Sequence, residues 1–446
     1  MGRLLVLTLV VSGLAASAVP ARAQEPLTLG QAIAEALADN PDVLAAQAVA
    51  EKAAAEATAA RAMFFPRVSF SESWQRSNQP VFAFSSLLAA REFTEGDFAV
   101  DRLNHPGAVA AFAGRLFVSQ VIFDGRTNAE AALGTSARDA ATAALEAARA
   151  DIAVEVTRAY GHVLTAEAAA EAAQSAVRAA EEDMARAERR REAGLVTDAD
   201  VLALAVHVAA MKRRQIAAAG DAAIARASLN RLTGAPVERV FAVQEPPLAP
   251  GTPVDPSALA AQAEANRPEL RRSAAAVSAA EAGARLARAG WYPRVTAQAG
   301  YQFEGLEMFS RADSWIFGGE LTWGISLGGA ERARTRAASA AVTAAQAADR
   351  SARASVHLDV VSAVYALEAA RARVAVGRAS VDQAAERERI TRNRYDAGLA
   401  SVNDVLAAAT ARLDAEVERV AALVDALIAS ASLTRAVGWP VSPSRP

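Results

Sequence analysis

The sequence predicts a mainly α-helical chain with a small β-barrel part, built as two tandem repeats of helix, β-hairpin, long helix and short helix. Three observations carry this reading. Motifs recur at two constant spacings, two very long stretches lack helix breakers, and short segments alternate apolar with polar residues.

The repetition comes first, because a missed duplication misreads the whole fold. Phe65-Pro66-Arg67-Val68 recurs as Tyr292-Pro293-Arg294-Val295, and Asn40-Pro41-Asp42-Val43-Leu44 as Arg267-Pro268-Glu269-Leu270. Both pairs lie 227 positions apart. Ala193-Gly194-Leu195 through Asp200-Val201-Leu202 recurs as Ala397-Gly398-Leu399 through Asp404-Val405-Leu406. Leu229-Asn230-Arg231-Leu232-Thr233-Gly234 recurs as the run from Leu433 to Gly438, and this second set is offset by 204. The chain is a tandem duplication whose first copy holds 23 additional residues between the two sets of anchors.

The long helices follow from composition and from what is missing. Apolar residues make up 52% of the 446 but aromatics only 5%, because alanine supplies most of the apolar count and favours helix. Residues 107–235 and 294–439 contain no proline. A helix over about residues 126–193 and its equivalent over about 331–397 would each be roughly 100 Å long at ~1.5 Å per residue. That far exceeds the ~11–12 residues of an ordinary globular helix and points to a coiled-coil-like or tubular assembly. Arg186, Glu188, Arg189, Arg190 and Arg191 read most simply as a solvated face. Between the copies, Pro246, Pro247, Pro250, Pro253 and Pro256 mark an irregular connection.

The strands show as a change of period. In the run from Val295 to Glu304 the odd positions are apolar and the even ones polar or Gly, and Trp315, Phe317, Leu321, Trp323, Ile325 and Leu327 continue the pattern. Val68, Phe70 and Trp74 alternate with Ser69, Ser71, Ser73 and Gln75, while residues 115–123 alternate less cleanly. Strands of about ten residues with one apolar face and aromatics near their ends fit a transmembrane β-barrel. Four strands cannot close alone, and open edges are not tolerated in lipid, so several chains must share one barrel. The extra residues of the first copy fall in its hairpin, around residues 78–107. They carry Phe82, Phe84, Phe93 and Phe98 and are expected at the extracellular mouth.

The resulting organisation has a signal peptide over 1–23, from Arg3, an apolar run and Ala21-Arg22-Ala23 before Gln24. First helices follow over 24–65, the β-hairpin with its long loop over 66–125, and long and short helices over 126–234 with a turn near 194–198. The linker takes 235–256. The second copy has first helices over 257–291, its hairpin over 292–329, and long and short helices over 330–438 with a turn near 398–403, before a tail over 439–446. No segment after the leader is expected to span a membrane as a helix.

Several classes are disfavoured. The chain has no cysteine, which excludes disulfides, thiolate sites and a lipid-modified cysteine. A net charge of −3 gives no reason to expect nucleic acid. His105, His162, His207 and His357 are scattered outside any metal-ligand spacing, and there is no phosphate loop or nucleophile elbow. The sequence reads as a non-enzyme with no cofactor and no metal. A structural coiled-coil protein or a periplasmic adaptor is the alternative of a different class, and neither needs four lipid-length strands.

The duplicated Pro-Arg-Val strand entries, the strand ends Phe123-Asp124-Gly125 and Leu327-Gly328-Gly329, and the two Gly-Leu turns together resemble the TolC family of outer-membrane channels over about residues 27–438. The resemblance implies a homotrimer in the outer membrane of a Gram-negative bacterium. Its twelve-stranded barrel would continue as a long periplasmic α-helical tunnel, with the Pro-rich connection at its waist. It implies the exit duct of a tripartite efflux pump, working with a periplasmic adaptor and an inner-membrane pump of the RND, ABC or MFS class. A role in type I protein secretion on the same fold is the alternative. The turns Gly194-Leu195-Val196-Thr197 and Gly398-Leu399-Ala400-Ser401 would be the periplasmic tips that meet the adaptor. Asp404 matches an acidic pore-ring position, and Tyr395 and Asp200 match positions that hold neighbouring helices closed. Ala407 and Ala400 depart from the family pattern where a second pore aspartate and a latching arginine can stand. Without the resemblance, Gly, Thr197 and Ser401 read as plain helix-turn residues, and Asp200 and Asp404 as charges complementing helix N-termini.

Overall fold

The computed structural model describes residues 26–194, 196–247, 255–324 and 327–438. The expected signal peptide and C-terminal tail, Leu195 of the first turn and Ile325 of the last alternating run lie outside the described residues.

In the first copy a short strand β1 (Pro26–Leu27) precedes α1 (Leu29–Asp39) and α2 (Pro41–Ala62), then β2 (Arg67–Ser77). The hairpin loop holds α3 (Pro80–Ala89), a 3-10 turn (Glu95–Phe98) and α4 (Val100–Asn104), and the chain returns as β3 (Val109–Phe123). Two helices complete the copy, α5 (Gly125–Glu192) and α6 (Asp198–Thr233). A two-residue strand β4 (Ala242–Val243) leads to the second copy. This runs α7 (Pro256–Asn266), α8 (Pro268–Ala289), β5 (Arg294–Gly305), β6 (Ala312–Thr322), α9 (Ala330–Asp396) and α10 (Val402–Val437). At 68 and 67 residues, α5 and α9 are each about 100 Å long.

The anchor motifs are the joints of this frame. Pro41 and Pro268 stand at the first positions of α2 and α8, where a missing N–H loses no helix bond. Asn40 caps α2 by accepting from the Asp42 and Val43 amides and donates to Leu232 O at the end of α6 (2.9 Å). Its counterpart Arg267, 3% exposed, donates to Arg435 O at the end of α10 (3.1 Å) and pairs with Asp359 (2.7 Å). The left-handed glycines Gly234 and Gly438 end these helices so close to the joints that a Cβ would meet Asp39 O at 2.7 Å or Arg267 N at 2.8 Å. The repeated Thr-Gly and Ala-Val-Gly endings thus lock each short helix onto its own copy's first two helices.

Between these joints, β1 pairs in parallel with β4, and the hydroxyl of Tyr160 on α5 binds both. It lies 2.8 Å from Leu27 O and from Gln244 O, and accepts from the Gln244 amide at 2.9 Å. Strands of two residues show no period, so the sequence carried no sign of this small sheet. Residues beside the Pro-rich connection are thereby tied to the waist of the long helices.

The four long strands form one sheet in the order β2-β3-β5-β6, all antiparallel. Its register sorts the side chains. Val68, Val118, Ala299 and Phe317 form one row and Phe70, Leu116, Tyr301 and Trp315 the next, all on one face. The opposite face carries the rows Arg67, Ser119, Gln298, Gly318 and Ser71, Arg115, Gln302, Ser314. Between them Phe117 and Ile316 flank Gly300, where a Cβ would lie 2.8 Å from Ile316 and 2.9 Å from Phe117. The less clean alternation of β3 reflects Phe117 on the polar face and a register shift between Val121 and Phe123. Among the described residues nothing pairs with the outer edge of β2 or of β6.

In the hairpin insertion, Phe93 stacks edge-on against both Phe84 and Phe98, with ring centroids 4.9 Å apart in each case. One expectation is corrected: α10 holds an 18-residue window of mean hydropathy 1.6 and is apolar enough to cross a membrane. Part of that apolar surface is buried in the coil, with Val420 and Val424 packed among α5 residues and Ala426 and Leu433 among α9 residues.

Candidate functional site: the helical turns

Both long helices end far from the sheet in the same construction. Gly194 and Gly398 take φ of 73° and 72°, a left-handed conformation that costs glycine little. In the second turn, the Gly398 amide reaches Tyr395 O (3.0 Å) and the Leu399 amide reaches Arg394 O (2.8 Å), satisfying two carbonyls at the helix end. Leu399 itself points outward, 69% exposed.

The next helix starts with a capping box. Thr197 Oγ1 accepts from the Asp200 amide, while Asp200 Oδ2 accepts from the Thr197 amide (3.0 Å) and hydroxyl (2.8 Å). Ser401 and Asp404 repeat this with 2.9 Å and 2.7 Å. These reciprocal bonds use donors that the first helical turn leaves unpaired. The Ser401 hydroxyl and amide, helped by the positive charge of Arg394, hold the Asp404 carboxyl below the usual carboxylate range. Asp404 is exposed and ionised, with its other oxygen unoccupied by the cap.

Tyr395 sits one turn back, packed beside Val201, Leu204, Val402 and Leu406. The Arg190 guanidinium lies 5.7 Å from the centre of its ring. Among the described residues no hydrogen bond joins Tyr395 to Asp200, whose Oδ2 is engaged by Thr197. Tyr395 instead lines a small, partly open cavity of about 40 Å³ between the two copies, together with Arg190, Arg392 and Asp396.

The arginine-rich end of α5 is not simply solvated. Arg190 pairs with Asp396 (3.6 Å), and Asp183 with Arg392 (3.4 Å), so that α5 of one copy is joined to α9 of the other. Arg392 and Arg412 also converge on Glu388, which is 8% exposed, at 3.1 Å and 3.2 Å. Removing either arginine would leave a buried carboxylate short of a partner, the expensive way to break such a group. Reading the two copies separately could not find the cross-copy pairs, because Arg190 and Asp396, like Asp183 and Arg392, lie about two hundred residues apart.

Comparison with known proteins decides the identity of this architecture. A family profile described as outer membrane efflux protein matches residues 32–235 and 259–439, most of both copies. The chain belongs to the outer membrane efflux protein family. No curated protein matches the sequence. The fold is shared with solved structures of low identity. A membrane protein from Pseudomonas aeruginosa is 23% identical, with 92% of this chain and 90% of that one covered and a TM-score of 0.76. The CmeC outer membrane channel of Campylobacter jejuni is 18% identical over 94% and 87% of the two chains, with a TM-score of 0.77. The outer membrane protein VceC of Vibrio cholerae is 22% identical over 92% and 96%, with a TM-score of 0.75. The family places the chain among TolC-like outer-membrane efflux channels, of mainly helical fold with a small β part. In that setting the turns at Gly194 and Gly398 are the end of the molecule farthest from its lipid-facing sheet.

Proposed function

We propose that three copies of this chain form a passive exit duct of a tripartite efflux pump, gated at the helical turns. The observation that carries the reading is the sheet β2-β3-β5-β6, which has one apolar face and, among the described residues, two unpaired edges. In lipid an open edge strands backbone donors and acceptors without water, at several kcal/mol per group, so the edges of neighbouring chains must meet.

The helices support the same closure. Leu202, Val206, Ile216 and Ile224 form an apolar stripe on α6, each 66–75% exposed. Their counterparts 204 positions on are Leu406, Thr410, Val420 and Ile428 of α10, which packs against α5 and buries Val420 to 7%. The second copy's stripe is covered by the first copy, and the first copy's stripe awaits the next chain.

The turns Gly194, Leu195, Val196, Thr197 and Gly398, Leu399, Ala400, Ser401 would meet the hairpins of a periplasmic adaptor. Outward Leu399 offers an apolar contact there. Three Asp404 carboxylates, one per chain, would ring the axis and favour cations. Opening would separate the coils around Tyr395 and Asp200 like an iris. The energy would come from an inner-membrane pump of the RND, ABC or MFS class acting through the adaptor. Conductance of the purified protein in planar lipid bilayers tests the reading. Stepwise, cation-preferring currents from detergent-extracted trimers are expected; a detergent-free soluble protein without currents would refute it.

A further inference from the structure

We propose that Arg311 and Arg91 are positioning residues, crossed straps that fix the arc of each chain's sheet at its loop end. So held, β6 of one chain stands ready to pair with β2 of the next. This rests on the trimeric reading above and deepens it by naming what prepares the two edges.

Both straps end on one row of the sheet. Glu72 of β2, Gly114 of β3, Phe303 of β5 and Asp313 of β6 are successive partners across all four strands. The row lies on the face that bears Phe70, Leu116, Tyr301 and Trp315, yet both of its ends are acids. Carboxylates on a lipid-facing side are costly unless they are paired or close to the headgroups. Each is met by an arginine from the loop of the other hairpin. Arg311, from the turn between β5 and β6, reaches Glu72 at 2.8 Å. Arg91, from the insertion between β2 and β3, donates to Asp313 O at 2.8 Å and lies 3.9 Å from its carboxylate.

The path of Arg311 is cleared by two glycines. A Cβ on Gly305 would lie 3.0 Å from Arg311 Cα, and one on Gly114 would lie 3.1 Å from its guanidinium. The Arg311 side chain is only 16% exposed, and its Nε donates to Met308 O at 2.7 Å. The guanidinium lies 5.9 Å from the centre of the Phe112 ring. Asp313 is held in turn by the Tyr301 hydroxyl at 2.7 Å. Arg91 has a φ of 59°, alone among the described non-glycine residues in being positive. Such a backbone persists where its surroundings hold it in place. Duplication did not supply these ties, since the residue 227 positions after Glu72 is Ala299.

Three strand spacings of ~4.8 Å separate β2 from β6, about 14 Å in all. In a closed barrel the lipid-facing side is convex, and a strap of fixed length across it limits how far the four strands bend. Chains that share one arc bring β6 and β2 together at the ring's three seams. A sheet free to flatten or curl does not.

Charge reversal tests the longer strap. E72R and R311E should each shift detergent-extracted protein from trimer toward monomer by roughly tenfold, and E72R/R311E should restore the trimer. R311K reaches Glu72 with a single point charge and should lie between. E72Q removes only the charge and covers the case in which a reversal prevents folding; it too should lose trimer. For the shorter strap, R91G removes the guanidinium and places at positive φ a residue at ease there. It should quicken hydrogen exchange of the α3 amides about fivefold, with α5 and α9 unchanged. Single reversals no worse than the double, an E72Q trimer as abundant as the unmutated one, or unaltered α3 exchange in R91G would overturn the straps while leaving the trimer standing. Absence of any trimer in the unmutated protein would refute the underlying reading instead.

Discussion

The sheet's orientation predicts an asymmetry between two neighbouring substitutions. Phe317 is the sixth of the eleven residues of β6, on the apolar face and 75% exposed in the single chain. Eleven residues at ~3.3 Å and a tilt of about 40° rise roughly 28 Å, close to the ~25 Å apolar band of such barrels, so Phe317 lies near its middle. An arginine there should cost about 2–4 kcal/mol, a roughly 30- to 1,000-fold shift toward the unfolded form for each subunit. Gln298 is paired with Gly318, one residue along from Phe317, and belongs to the opposite, polar face. Gln298→Arg should therefore change stability little. Urea unfolding in lipid vesicles, followed by Trp315 fluorescence and by heat-dependent gel mobility, measures both. If Gln298→Arg destabilises as much as Phe317→Arg, the polar face does not line a water-filled lumen and the assignment of faces is wrong.

Other outcomes follow from the turns and the waist. Asp404→Asn keeps an oxygen for the Ser401 cap but removes the charge, so it should lower cation preference in bilayers with little change in melting. Ser401→Ala should do the reverse, weakening the start of α10 by about 1 kcal/mol with selectivity retained. The hydrogen bonds from Ser401 depress the Asp404 carboxyl. The stability they add is therefore present above the unfolded value near 3.8 and is lost as pH falls through the lower folded value. Cation preference should accordingly stay flat from pH 8 to about 5 and fall only below about 3.8; reversal potentials measured through an acid series check this. Tyr160→Phe leaves the Gln244 amide without its 2.9 Å acceptor in a part-buried setting. Hydrogen exchange at that amide should quicken at least fivefold, from a penalty of about 1–3 kcal/mol.

Much of this architecture was legible because its physics is periodic. The two Pro-led joints and the two glycine-ended turns recur at fixed spacings, and each recurrence marks a backbone constraint, such as Gly438 against Arg267. Twofold alternation located β5 and β6, where odd positions such as Ala299, Tyr301, Trp315 and Phe317 share the apolar face. It was weaker in β3, where Phe117 shields Gly300 on the polar face. Non-periodic features were silent: the pairing of β1 with β4 rests on a phenol contributed by α5. Of the arginines read as a solvated face, Arg186, Arg189 and Arg191 are exposed, but the pairing of Arg190 with Asp396 was hidden, since the two meet only after the copies fold against each other. Tyr395 was expected near Asp200, yet the capping box engages that carboxylate and Arg190 covers the ring. A helix-turn pattern shows where an aspartate stands but not which of its possible partners it takes.

An end-on reconstruction of the detergent-solubilised particle by electron microscopy tests the central claim most directly. Three chains should surround an open lumen, with β6 of each hydrogen-bonded to β2 of the next. A particle in which each chain keeps both strand edges unpaired, or whose axis is filled by protein, would contradict it.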